Sequence, residues 1–258
     1  MSEHSPDDGV RVETDGLIVT VTMERGPVNA VDQGMYRALR TVFGEMGTSG
    51  AEGRVCILRG AGRHFCAGND LDEFVAMTGD NASIRMRAVR EAFAAILECP
   101  LPVIAAVQGA ALGTGVAIAA CCDVIVASED AVFGTPEIGV GVLGGARHLA
   151  RLVPEQVMRR MYFTAEPASA GELLRYGAVS AVVPRDRLDA EARRLAESIA
   201  RHSQHVLRAA KEALNRTEGM PLKLAYEEEQ QLTVRAVSHP DSIRARQAVA
   251  ERRPVVFD

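Results

Sequence analysis

The sequence predicts a mixed α/β core followed by a helical C-terminal region, and three observations predict it. Up to about residue 187, apolar runs of strand character alternate with amphipathic helical segments. Two of those runs, Val55-Cys-Ile-Leu58 and Val103-Ile-Ala-Ala-Val107, lead into glycine-bearing segments, Gly62–Leu71 and Gly109–Gly115. From Leu188 onward, helical patterning carries nearly all of the remaining chain. The expected organisation is a disordered polar tail over residues 1–8, a core over 9–187 and a helical region over 188–258.

Val10–Met23 alternates about Asp15-Gly16 and reads as a β-hairpin. Val31, Met35, Leu39, Val42, Phe43 and Met46 recur at helical spacing, which predicts an amphipathic helix over 31–46. A strand over 55–59 precedes the first glycine segment, and a polar stretch around Thr78–Ala82 follows it. A second helix is expected from about Ile84 to Leu97, where Cys99-Pro-Leu-Pro102 stops it. A strand over 103–107 then feeds the second glycine segment. Gly115–Cys121 reads as an apolar helix, and Asp123–Ala127 and Val179–Val183 read as strands. The C-terminal helices are expected at about 188–202, 205–215, 221–237 and 240–252, with Pro221 and Pro240 where helices start.

Bulk composition narrows the function classes. The 258 residues are 47% hydrophobic and 24% charged, ordinary for a globular protein. A net charge of −5 supplies no basic field for nucleic acid or an anionic membrane surface. No run reaches the roughly 18 apolar residues of a transmembrane span, and the polar, acidic start is the reverse of a signal peptide. Five cysteines, Cys56, Cys66, Cys99, Cys121 and Cys122, sit mostly in apolar stretches without C-x-x-C spacing. They read as buried reduced thiols of a cytoplasmic protein. The histidines form no metal signature, and no metal site is expected. Gly139-Val-Gly-Val-Leu-Gly144 with Glu166 beyond it matches the nominal dinucleotide fingerprint. Its context fails, because Phe133–Glu137 is a poor βαβ strand and the helix after Gly145 stops near Pro154.

The glycine segments carry the chemistry. A strand end that turns through glycine leaves backbone N–H groups without ladder partners. Two such groups aimed at one point make an oxyanion hole for charge developing on a carbonyl oxygen. A third segment, Phe133-Gly-Thr-Pro-Glu-Ile-Gly139, follows them in order. With Arg25-Gly-Pro-Val-Asn-Ala30 ahead of all three, the ordered set resembles the crotonase, or enoyl-CoA hydratase/isomerase, family over nearly the whole chain. The resemblance implies a spiral of β-β-α units, assembled as homotrimers or hexamers through the C-terminal helices. It implies binding of acyl-CoA thioesters, with coenzyme A entering as part of the substrate and no permanently bound cofactor.

Residue by residue, the resemblance places the oxyanion donors on the backbone N–H groups of Asn69 and Thr114 and the acid/base on Glu137. Coenzyme A is expected along Val28, Ala30, Ala67, Gly68, Asn69, Asp70, Leu71, Gly113 and Thr114, where small residues let a ligand approach the backbone. Arg25 and Arg63 flank these segments toward the phosphates. Asp70 also reads as a cap of a following helix. Two positions depart from the pattern. Thr114 stands where glycine is common, which keeps the N–H but restricts the backbone. Ala117 stands where the family's two-glutamate hydratases carry their second carboxylate. That loss shifts weight toward an isomerase, toward a hydratase with a substitute acid among Asp72, Glu73 and His148, or toward a non-catalytic acyl-CoA binder.

Overall fold

The structure, a computed structural model, describes residues 9–46 and 53–257. The polar tail over 1–8 lies outside the described residues. The chain opens with the expected hairpin, β1 (Val10–Asp15) and β2 (Ile18–Met23), closed at Gly16-Leu17 with Gly16 in the left-handed region. Helix α1 (Gln33–Glu45) starts two residues later than expected, because Asp32 caps it by accepting from the Met35 N–H at 2.8 Å. Strand β3 (Val55–Gly60) leads to the first glycine segment, then to a short helix α2 (Leu71–Val75) that periodicity did not reveal. Five residues are too few for a helical period to register.

Helix α3 (Gly79–Leu97) corrects the expected start near Ile84. The polar residues Thr78–Ala82 are its cap and first turn: the Thr78 N–H donates to Asn81 Oδ1 at 2.8 Å, one half of a capping box. Strand β4 (Val103–Val107) falls where expected. Next come a three-residue strand β5 (Ala110–Leu112), helix α4 (Thr114–Cys121), strand β6 (Val124–Ser128) and a second three-residue strand β7 (Val132–Gly134). A 3-10 turn over Pro136–Val140 precedes α5 (Ala146–Leu152), α6 (Glu155–Thr164), the two-residue β8 (Ala168–Ser169), α7 (Ala170–Arg175) and β9 (Ala181–Val183). Four helices finish the chain: α8 (Leu188–Ala200), α9 (Gln204–Thr217), α10 (Leu222–Ala236) and α11 (Pro240–Ala250).

Strands pair in the order β1-β2-β3-β4-β6-β9, parallel from β2 onward, and in a second sheet β5-β7-β8. From β4 to β7 successive strands alternate between the two sheets, whereas β1–β4 all lie in the large one. This two-sheet arrangement, with its helical C-terminal region, accords with the spiral that the resemblance implies. Alternation within strands buries both faces of the large sheet. Val103, Ala105 and Val107 face the main core with α1, α3 and α4, while Ile104 and Ala106 face a smaller core under α8. Ala192, Ala196 and Ala200 of α8 let that helix lie close to the sheet.

The helical region is also anchored to the core. Lys211 of α9, nearly fully buried, pairs with Asp123, whose carboxylate also accepts the Val103 N–H at 2.7 Å. Asn215 Nδ2 donates to Leu97 O at 2.7 Å. All five cysteines are buried and unpaired, and burial raises every thiol pKa, to about 12 at Cys66 and Cys121 and about 11 at Cys99.

Candidate active site

The site is built where the two glycine segments lie side by side. The Cys66 N–H donates to Ala110 O at 3.0 Å, and the Leu112 N–H donates back to Cys66 O at 2.9 Å. A Cβ on Gly115 would sit 2.2 Å from Cys66 O, and one on Gly109 would sit 2.4 Å from Arg63 O, so only glycine permits the approach. Asn29, buried and with φ +54, pins the first segment from below. Its Nδ2 donates to Ala61 O, His64 O and Phe65 O at 2.9, 2.8 and 3.3 Å. Arg185 closes the outer side, donating to Gly62 O and Arg63 O while pairing with Asp130.

Among the N–H groups that this scaffold leaves over are those of Asn69 and Thr114. The bridge between Val31 and Asn69 is made by Val31 N–H to Gly68 O and Asp70 N–H to Val31 O, so Asn69 turns its own N–H the other way. Among the described residues, neither the Asn69 N–H nor the Thr114 N–H has a protein acceptor. Thr114 is the first residue of α4, where the aligned peptide dipoles favour negative charge. The two residues also meet through Tyr36 of α1. Its hydroxyl lies 2.7 Å from Asn69 Oδ1 and 2.8 Å from Thr114 Oγ1. Nothing in the α1 pattern singled out Tyr36, because its partners are 33 and 78 positions away.

Glu137 comes from the 3-10 turn after β7 and reaches back to the start of α4. A Cβ on Gly113 would fall 2.7 Å from Glu137 Oε1, and Cβ atoms on Gly144 and Gly145 would fall 3.5 Å from it. The carboxyl therefore rests on three glycines, and Gly113 also holds the φ of +54 that starts α4. Glu137 Oε2 is buried with no hydrogen-bond partner, and burial pushes the carboxyl pKa above the ordinary glutamate value. Ala117, one turn into α4, is buried and places no carboxylate opposite.

The residues considered as substitute acids are disposed differently. Glu73 accepts the Gln33 N–H at 3.1 Å and pairs with Arg85, and Asp72 is exposed. His148 packs edge-on against Phe93 with ring centroids 4.9 Å apart, and burial lowers its pKa, favouring the neutral ring. Arg85, nearly fully buried on α3, leaves its Nη2 without a partner, as Gln33 does its Nε2.

Of the residues expected along coenzyme A, Val28 O accepts the Ala67 N–H at 3.0 Å, Gly68 has φ +120, and Leu71 is exposed. Arg25 is engaged within the protein: it pairs with Asp70 at 2.7 Å and Asp32 at 3.1 Å and donates to Ala30 O at 3.0 Å. Asp70 caps α2 by accepting the Glu73 N–H at 3.1 Å; that bond and Arg25 hold its carboxyl below the usual range. Arg63 is exposed.

Comparison with known proteins agrees with this architecture. Residues 13–258 match the sequence model of the Enoyl-CoA hydratase/isomerase family. The chain is 43% identical over 227 residues to a (7aS)-7a-methyl-1,5-dioxo-2,3,5,6,7,7a-hexahydro-1H-indene-carboxyl-CoA hydrolase of Rhodococcus jostii, covering 87% of this chain and 88% of that protein. It is 44% identical over 217 residues to the Mycobacterium tuberculosis hydrolase of the same name, covering 84% and 87%. Among solved structures, an enoyl-CoA hydratase from Bacillus anthracis superposes with a TM-score of 0.90 at 29% identity, covering 96% of this chain and 98% of that one. With the spiral fold, the paired glycine segments and Glu137 on one chain, the protein belongs to the enoyl-CoA hydratase/isomerase family.

Proposed function

We propose that this chain is an acyl-CoA enzyme that holds a thioester enolate on the Asn69 and Thr114 N–H groups and uses Glu137 as its one acid/base. The observation that carries the reading is the buried, unpartnered Glu137 oxygen beside Gly113 at the head of α4. A thioester α-carbon is too weakly acidic for a carboxylate base alone. Oxyanion donors close that gap, each worth about 10²–10³ in rate in other enzymes. A carboxyl of raised pKa both accepts and returns a proton near neutrality. The pantetheine arm runs along Ala67–Asp70, and the active form is a trimer or hexamer.

The finer reaction is hydrolysis of a cyclic keto-acyl-CoA, supported by the names of the relatives at 43–44% identity. An enolate site becomes a hydrolase when the thioester enolate is the leaving group. Water adds to a ring ketone β to the thioester and loses its proton to Glu137. The bond between the ketone carbon and the thioester α-carbon breaks, and its electron pair enters the thioester as the enolate. Glu137 returns the proton to the α-carbon, giving a ring-opened carboxylic acid still joined to coenzyme A. Ala117 favours a second reading, a 1,3-proton shift on an enoyl-CoA, which also needs only one carboxylate.

A panel of cyclic β-keto-acyl-, 2-enoyl- and 3-enoyl-CoA esters assayed in deuterated water separates these reactions. Ring opening with one deuterium gained at the α-carbon is the expected result. Migration of the double bond without ring opening would transfer the assignment to isomerase. Glu137→Gln is expected to abolish turnover, by at least 10³-fold, while acyl-CoA affinity stays within about twofold. Retained turnover in that variant would overturn the proposal.

A further inference from the structure

We propose that Tyr36 is a positioning residue of the oxyanion hole, its hydroxyl tying together the two loops that carry the N–H donors. The inference rests on the enolate reading above and adds what holds the enolate oxygen's donors at their spacing. Asn69 and Thr114 arrive from different elements, one after β3 and one at the head of α4. Upstream they are joined by the Cys66–Ala111 bridge. At the donors themselves, the link between them is Tyr36 Oη, 2.7 Å from Asn69 Oδ1 and 2.8 Å from Thr114 Oγ1.

The direction of this chain follows from its atoms. Asn69 Oδ1 only accepts, so the single phenolic proton goes to it, and the phenolic oxygen accepts from the Thr114 hydroxyl. The order is Thr114 O–H to Tyr36 O–H to Asn69 Oδ1. Each member is thereby held in one orientation, and a glycine at 114 would break the chain at its first link. Tyr36 itself is fully buried, with the Phe93 ring edge-on at 6.2 Å between centroids, so its hydroxyl has little freedom to follow a moving loop. Burial raises the phenol's pKa, which keeps the proton in place throughout the working pH range. The threonine that departs from the glycine pattern therefore has a physical role: it exchanges backbone freedom for a tether.

Acetoacetyl-CoA is the probe, because its enolate has a near-ultraviolet absorbance that its keto form lacks. Binding is measured in a Glu137→Gln background, which removes turnover and leaves both loops intact. That parent is expected to raise the enolate-to-keto ratio above that of free acetoacetyl-CoA at the same pH. Adding Tyr36→Phe should lower the bound ratio about tenfold, the effect of losing roughly one well-placed hydrogen bond. Affinity for butyryl-CoA, which does not enolise appreciably, should stay unchanged. Thr114→Val should act like Tyr36→Phe, the double variant should be no worse than either, and Thr114→Ser should restore the parent ratio.

An unchanged ratio in Tyr36→Phe would overturn the positioning role while leaving the enolate reading standing. Butyryl-CoA binding that weakens in step with the ratio would also overturn it, since that is the mark of general loosening. A parent that gives no enolate at all would remove the enolate reading itself.

Discussion

Glu137 shows how one side chain is tuned by what surrounds it rather than by a partner. Gly113, Gly144 and Gly145 give it room, and burial without a hydrogen bond to Oε2 raises its pKa. A raised carboxyl pKa means that the fold prefers the protonated form. Its contribution to stability is therefore full below the unfolded value near 4.5 and is lost as pH rises through the higher folded value. Glu137→Gln, which never ionises, is expected to unfold at a higher urea concentration than the parent at pH 7, with the difference closing below about pH 4.5. A lower midpoint at pH 7 would show that the carboxylate is solvated rather than buried. The chemistry of this residue was legible only through its neighbours in sequence. Pro136 and Gly139 marked the segment, but the apposition to Gly113 is a tertiary fact. Tyr36 was not legible at all, because a tyrosine beside an apolar stripe gives no sign of partners that the fold brings from two other elements.

At the scale of elements, the strands were easier to read than the layers they form. The run at 103–107 is apolar on both faces and bounded by Pro102 and Gly109, so β4 was found with its ends in place. The strands β5, β7 and β8 have three, three and two residues, too short for any period, and they make the second sheet that turns the chain into a spiral. Helix α3 began earlier than its apolar residues suggest because a capping box, not a hydrophobic stripe, starts it. What holds these short pieces in register is often one side chain. Asn29 donates to the carbonyls of Ala61, His64 and Phe65, at and just before the first glycine segment, in a left-handed conformation that asparagine tolerates better than alanine. Asn29→Ala is expected to cost about 3 kcal/mol in urea unfolding, more than a single lost hydrogen bond. Asn29→Gly should recover only the backbone part of that loss. A cost below about 1 kcal/mol would mean that the segment holds its shape without the pin.

For the whole molecule, the C-terminal helices bear on assembly. They cover the core through α8 and the Lys211–Asp123 pair, yet α9–α11 still expose Leu214, Leu222, Leu224, Val234 and Val249 to solvent. Apolar side chains exposed along these helices would be covered if the chain assembles as the family resemblance implies. Sedimentation equilibrium at micromolar concentration is expected to give a trimer or a dimer of trimers, and Leu222→Asp with Val234→Asp to shift it toward monomer. A monomeric parent would overturn this. The five cysteines give the same molecule a second use. Each thiol is buried and weakly acidic, and none is bonded to another. A thiol-selective alkylating reagent at neutral pH therefore meets almost no thiolate until part of the fold opens. Cys66 belongs to the first glycine segment and bridges to the second, and Cys56 lies on a central strand. The order in which these cysteines become modified would read out, without any added label, whether the loops around the donors open on their own or only when the sheet itself comes apart.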